Sequence, residues 1–233
     1  MHQLTFMKKQ KIAKDTYTFC FMRPEKDFHF SPGQYLSLII NNGAHTLSHD
    51  FSIASSPHEK KFILITTKKG TSEFKEMLFN LQCGNQIQSS KPAGGFILDG
   101  HDSVPTVFLA GGIGIVPFFS MIQYTLQKKM QTPITLLASF GTKEEMMYST
   151  ELLLIAKKHP HIVVVYTLTK VDKLWRGETG RISEVLVKKY VGNLTLPIYY
   201  VAGSPDFVVN MEEMLEKAGV NINNIRTEQF TGY

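Results

Sequence analysis

TVFLAGGIGIVPFFS, residues 106–120, joins two local patterns with opposite demands. Val107, Phe108, Leu109 and Ala110 are apolar without alternation, as in a strand covered on both faces. Gly111, Gly112 and Gly114 follow, a turn almost free of side chains. Pro117 then suits the first turn of a helix that runs through Phe118, Met121, Ile122 and Leu126. Strand, glycine turn and helix start place bare backbone beside free N–H groups, which is how a phosphate is cradled. The same arrangement is also a plain tight connection, and both readings stand on this stretch alone. The spacing is glycine-x-glycine-x-x-proline, and no acidic residue ends the next strand to hold a ribose.

Working outward, residues beyond Val104 alternate apolar strands with amphipathic helices. Strands are predicted at 107–110, 134–140, 162–168, 198–202 and 225–230, with helices at 117–129, 144–158, 181–190 and 206–218. That alternation predicts a five-stranded parallel sheet with helices on its faces. Residues 1–99 differ, with short strands at 4–11, 17–23, 35–40, 62–67, 87–89 and 96–98. Turn signals stand at Arg23-Pro24 and Ser31-Pro32-Gly33, and one helix is capped by Thr71 or Ser72 and stops near Gly84. Many short strands with a single capped helix predict a small antiparallel β-barrel. The boundary falls at Asp99-Gly100-His101-Asp102-Ser103, giving a barrel over 1–101 and an α/β domain over 102–233.

Composition excludes several classes. A chain of 233 residues with 43% hydrophobic and 19% charged residues can form two modest domains with real cores. The opening MHQLTFMKKQKIAKD has no long apolar core and no run reaches membrane-spanning length, so a cytoplasmic protein without membrane insertion is expected. Cys20 and Cys83 cannot by themselves ligate an iron–sulfur cluster. His45 and His49 lie on non-helical sequence, His159 and His161 flank a proline turn, and no H-E-x-x-H occurs, so no metal site is expected. No GxSxG elbow supports a serine hydrolase. The net charge of +5 is spread as scattered lysine pairs, which read as solvated edges or as a basic face for an acidic partner. No basic stripe interleaved with aromatics supports nucleic-acid binding.

Short stretches carry the chemistry: HDFSIASSP (49–57), KKGTSEF (68–74), PAGGF (92–96), AGGIGIVP (110–117), VAGSPDF (201–207) and EQFTGY (228–233). In that order they resemble the ferredoxin–NADP reductase superfamily over nearly the whole chain, without a fused iron–sulfur module. The resemblance implies an FAD-binding barrel followed by a nicotinamide-binding domain. It sets His49, Phe51, Ser52 and Ile53 on the motif arginine-x-tyrosine-serine/threonine-isoleucine/leucine. Ser52 then supplies a hydroxyl near flavin N5, Phe51 keeps the tyrosine ring without its hydroxyl, and His49 lacks the permanent charge and bidentate grip of arginine on the diphosphate. Thr66 and Lys68, with Gly70, Thr71 and Ser72, fall on the second FAD segment, which could also be a simple helix cap. Gly94, Gly95 and Phe96 close the barrel.

The resemblance assigns Gly111, Gly112, Gly114, Ile115 and Pro117 to the nicotinamide-dinucleotide turn, and Gly203, Ser204, Pro205 and Asp206 to the nicotinamide ribose. Ala202 stands where a cysteine often sits. Ser52, Glu228 and Phe230 become the candidates beside the reacting atoms, with Phe230 or Tyr233 as the aromatic that covers the flavin. Core packing for Phe230 and a frayed end for Tyr233 are the alternatives. The expected activity is hydride transfer from NADH or NADPH to FAD, then electron delivery to a separate acidic protein such as a ferredoxin or flavodoxin. No arginine ends the second parallel strand, Ala138-Ser139-Phe140-Gly141-Thr142, which favours NADH. The alternatives are a flavin reductase that uses free flavin as substrate and a non-catalytic dinucleotide-binding redox sensor.

Overall fold

The structure, a computed structural model, describes residues 1–24, 28–43, 45–98 and 104–231. The expected boundary at 101/102 lies outside them. Two compact units emerge, residues 1–99 with 116–128, and residues 100–115 with 129–233.

The first unit contains β1 (His2–Ala13), β2 (Thr16–Met22), β3 (Tyr35–Asn41), β4 (Thr46–Ser52), β5 (Phe62–Lys68), helix α1 (Glu73–Phe79) and β6 (Gln86–Ser89). The strands form one antiparallel sheet in the order β4-β3-β6-β1-β2-β5. An isolated bridge between Ile53 and Ile65 brings the two edge strands together, so the sheet curls into a barrel-like form without a continuous closing ladder. Alternation drives the curl: Leu36, Leu38, Phe19, Phe21, Ile63 and Ile65 are fully buried on the inner face. Each such side chain contributes about 1.5–3 kcal/mol through burial. No strand forms at 96–98. Ala93 bridges Tyr35, Gly94 turns with φ +101, and Phe96 packs on Phe118 at 5.9 Å instead of pairing.

The second unit contains β7 (Thr106–Gly111), β8 (Ile134–Phe140), β9 (Ile162–Leu168), β10 (Glu178–Thr179), β11 (Ile198–Gly203) and β12 (Ile225–Gln229). They form a parallel sheet in the order β10-β9-β8-β7-β11-β12. The five expected strands make its body, and the two-residue β10 extends it beyond β9. The helices are α2 (Ile115–Gln127), α3 (Ser149–Lys158), α4 (Glu184–Val191) and α5 (Pro205–Lys217). The helix expected at 144–158 is broken. Lys143–Glu145 make a 3-10 turn, and α3 starts only after Tyr148, whose φ of 55° interrupts helical continuity. The helix expected at 181–190 begins at Glu184, where Ser183 Oγ accepts from the Leu186 amide at 3.3 Å.

Most of α2 packs with the first unit: Ser120 Oγ donates to the Ser55 carbonyl at 2.7 Å, and Tyr124 stacks on His58 at 5.5 Å. Among the described residues no helix is long and apolar enough to cross a membrane.

Candidate active site

In the second unit, β7 lies between β8 and β11, so chain connections leave it in opposite directions and a crevice opens past its C-terminal end. A cleft of about 650 Å³ occupies that position, lined by Gly111, Gly112, Gly141, Ser204, Asp206 and Phe207 among others. The glycines serve different ends. A Cβ on Gly114 would stand 2.1 Å from the Ala202 carbonyl oxygen, so the turn packs backbone to backbone on β11. Gly112 has φ +54 and open space where a side chain would begin. Gly111 and Gly203 bear the Phe207 ring, which a Cβ on either would meet at 2.7 Å and 2.6 Å.

The neighbouring expected residues take definite places. Ile115 is fully buried and packs the turn, and Pro117 lies in the first turn of α2, where its missing N–H breaks no bond. Ser204 caps α5, its Oγ accepting from the Phe207 amide at 3.3 Å, with Pro205 first in the helix and Asp206 in its opening turn. Glu228 stands opposite Ala202 in the β11–β12 register. Phe230 is half-buried and its amide donates to the Gly203 carbonyl at 2.8 Å. Tyr233 lies outside the described residues.

Sequence reasoning missed three charged residues that line this cleft, Glu145, Arg181 and Glu184. Glu145 reaches back from the 3-10 turn, Oε2 accepting from the Gly141 amide at 3.2 Å, and so brings a carboxylate to the end of β8. The acidic pair Glu144-Glu145 just beyond the strand was the available signal. Arg181 enters the lining from the segment before α4, with nothing in sequence to associate it with β8.

In the first unit, His49, Phe51 and Ile53 share the face of Leu36 and Leu38, while Ser52 takes the opposite one. Phe51 is 6% exposed, its ring 4.8 Å from His49 and 5.8 Å from Phe74. Ser52 is buried and its Oγ has no hydrogen-bond partner, a rare condition for a hydroxyl and one that a ligand atom would relieve.

Thr66 lies on the Ser52 side, since the antiparallel Ile53–Ile65 bridge sets Ser52 and Thr66 across from each other. The register of β5 against β2 turns its hydroxyl to that of Thr18, at 2.8 Å, on the face opposite Ile65 and Thr67. Ser72, of the two expected caps, caps α1, its Oγ accepting from the Lys75 amide at 3.3 Å. Gly70 and Thr71 beside it are exposed, and Lys68 is half-buried.

Lys75, also missed, is the most unusual residue of this unit. It is 4% exposed, and its ammonium donates to Thr67 Oγ1 and, at 3.4 Å, to the Lys68 carbonyl, with the Phe51 ring centroid 5.0 Å away. Burial pushes it down to about 8. Among the described residues no carboxylate pairs with it. An orphaned hydroxyl and an unneutralised buried cation fit an anionic, hydrogen-bonding ligand such as FAD. The bare-glycine cleft of the second unit fits a dinucleotide.

Comparison with known proteins agrees with both fits. Residues 1–112 match the family model described as an FAD-binding domain, and residues 108–213 match the oxidoreductase NAD-binding domain. The chain is 26% identical over 233 residues to the flavohemoprotein of Bacillus subtilis (strain 168), covering 96% of this chain and 57% of that protein. It is 22% identical over 235 residues to the glycine betaine monooxygenase reductase subunit of Chromohalobacter salexigens, covering 98% of this chain and 64% of the relative. The chain thus spans about three fifths of the length of these relatives. In fold it is similar to the crystal structure of a ferredoxin NADP+ reductase from Neisseria gonorrhoeae, with TM-score 0.86, 18% identity and 98% of each chain covered. With an FAD-binding half and a nicotinamide-binding half in this order, the chain belongs to the ferredoxin–NADP reductase superfamily.

Proposed function

We propose that the chain is an FAD-dependent NAD(P)H oxidoreductase that moves hydride from nicotinamide to FAD and then delivers electrons to a separate acceptor. The observation that carries this reading is the switch-point cleft lined by Gly111 and Gly112, with open space over Gly112. FAD, when bound, supplies the two-electron and one-electron chemistry that no side chain has. The residues' work is to bind and align, because hydride transfer needs the reacting atoms held at about 3–3.5 Å.

In this reading Gly111, Gly112, Gly114, Ile115 and Pro117 form the turn on which the nicotinamide dinucleotide rests. Gly203, Ser204, Pro205 and Asp206 border its ribose. On the barrel, proposed for residues 1–101, His49, Phe51, Ile53, Thr66, Lys68, Gly70, Thr71 and Ser72 surround FAD. The Ser52 hydroxyl would donate to flavin N5; in the α/β domain, proposed for 102–233, Glu228 and Phe230 or Tyr233 are the residues proposed for the same reaction.

The preferred donor in this account is NADH. Glu145 at the end of β8 would accept from a ribose 2′-hydroxyl and repel a 2′-phosphate. Arg181 on the same cleft favours a second reading, NADPH. The acceptor is an acidic carrier such as a ferredoxin or flavodoxin, or an oxygenase component. The net charge of +5 and the resemblance to a monooxygenase reductase subunit support that choice, in a cytoplasmic setting.

The test is turnover of ferricyanide by protein reconstituted with FAD and supplied with NADH or NADPH. Activity that follows bound FAD supports the proposal. Activity only with excess free flavin would make the protein a flavin reductase, and nucleotide binding without turnover would make it a sensor.

A further inference from the structure

The position of Lys75 contradicts the pattern of its own helix. On α1 the residues Phe74 and Leu78 face the sheet, and Lys75 is buried beside them where an apolar side chain would fill the space without desolvating a charge. Among the described residues its ammonium is held only by neutral groups, the Thr67 hydroxyl, the Lys68 carbonyl and the Phe51 ring. Burial alone accounts for its lowered pKa. An ammonium has three donors and full charge to place, so neutral acceptors leave it electrostatically uncompensated.

The surroundings point to the missing counter-charge. From α1 the Lys75 ammonium reaches the end of β5, beyond which the chain runs into Gly70, and its Cγ lies 3.4 Å from where a Gly70 Cβ would stand. It also lines a cleft of about 370 Å³ together with Lys9, Lys69, Gly70 and Glu76, three lysines to one carboxylate. The Phe51 ring beneath its ammonium also packs on His49 at 4.8 Å, the residue that stands in place of the expected arginine.

We propose that Lys75 is the cation that meets the phosphate groups of the flavin cofactor in the first unit, taking over the charge that His49 does not supply. The inference rests on the FAD reading of that unit. Rotation of the terminal bonds of Lys75 carries the ammonium from Thr67 toward the cleft beside Gly70, where it exchanges a neutral acceptor for an anionic one. Specificity follows: the interaction belongs to the phosphorylated flavins, and riboflavin, which has no phosphate, gains nothing from it.

Fluorescence titrations of the full chain with FAD, FMN and riboflavin test this on wild type, Lys75→Met and Lys75→Arg. Loss of a charge-assisted hydrogen bond predicts that Lys75→Met weakens FAD and FMN binding by about ten- to a hundredfold. Riboflavin affinity should stay within about twofold, and Lys75→Arg should recover part of the loss. Unchanged FAD affinity, or FAD and riboflavin weakened alike, would overturn the role of Lys75. A wild-type chain that binds none of the flavins would instead overturn the FAD reading, and this inference with it. Should Lys75→Met not fold, the wild type still decides. With ¹⁵N-lysine, the Nζ signal of Lys75, assigned from Lys75→Arg, must shift on addition of FAD and FMN and stay in place with riboflavin. A signal indifferent to phosphate would refute the proposal.

Discussion

Replacing Gly114 by alanine tests the packing that forms the dinucleotide turn. The new methyl would stand 2.1 Å from the Ala202 carbonyl oxygen, 2.4 Å from its carbon and 2.8 Å from the Gly203 nitrogen. Ordinary contact needs about 3.5–4.0 Å, so the turn and β11 must separate by more than an ångström, and both are backbone. Overpacking of this kind costs about 3 kcal/mol, at the upper end of the usual range. Gly112→Ala is the matched control. It meets nothing within 4 Å but has φ +54, so only the left-handed conformation is penalised, by about 1 kcal/mol. Gly111→Ala lies between, because its obstacle at 2.7 Å is the Phe207 ring, a side chain that can move. Combining it with Phe207→Ala should therefore recover part of the loss as a coupling energy. Urea unfolding, read as midpoint shifts at constant slope, measures these four variants and Phe207→Ala alone, which closes the cycle. A Gly114→Ala protein as stable as Gly112→Ala, or no coupling between Gly111 and Phe207, would refute this account of the turn.

Other expectations follow from single groups. Ser52→Ala removes a hydroxyl that has no partner, so flavin-free protein should keep its stability or gain up to about 1 kcal/mol, while NADH-driven flavin reduction slows by about tenfold or more, measured by stopped flow. The folded pKa of Lys75, about 8, is depressed from 10.5, so between these values the unfolded chain holds a proton that the folded one has lost. Stability of flavin-free protein should accordingly rise with pH across that window, by roughly 3 kcal/mol in all, relative to Lys75→Met. The charged groups on the cleft, Lys9, Lys69 and Glu76, and the His49 imidazole packed on Phe51 are common to both proteins in this comparison. Glu145→Gln should shift preference toward NADPH, and Arg181→Ala should weaken NADPH more than NADH, both read as kcat/KM ratios.

Legibility in the sequence followed the range of the interactions. The β7 turn could be read because apolar run, glycines and proline act within fifteen residues. Strand β10 could not, since two residues make no pattern; Glu178 and Thr179 are held by pairing with β9 and by Trp175 Nε1 on the Glu178 carbonyl at 2.8 Å. Thr66 was placed by motif position, whereas its face is decided by the β2–β5 register. Lys75 reads as a solvated helix residue, and its burial arises because a seven-residue helix sits against β3 and β4. Glu145 and Arg181 come together only through the order of the parallel strands. Ser52 was legible as chemistry, but its orphaned hydroxyl is a fact of packing.

The most direct test is an anaerobic absorbance titration of FAD-reconstituted protein with NADH and then NADPH. The account predicts a bound-flavin band that bleaches stoichiometrically, at lower concentration with NADH. A protein that takes up no FAD, or whose bound flavin stays oxidised with either nucleotide, would contradict it.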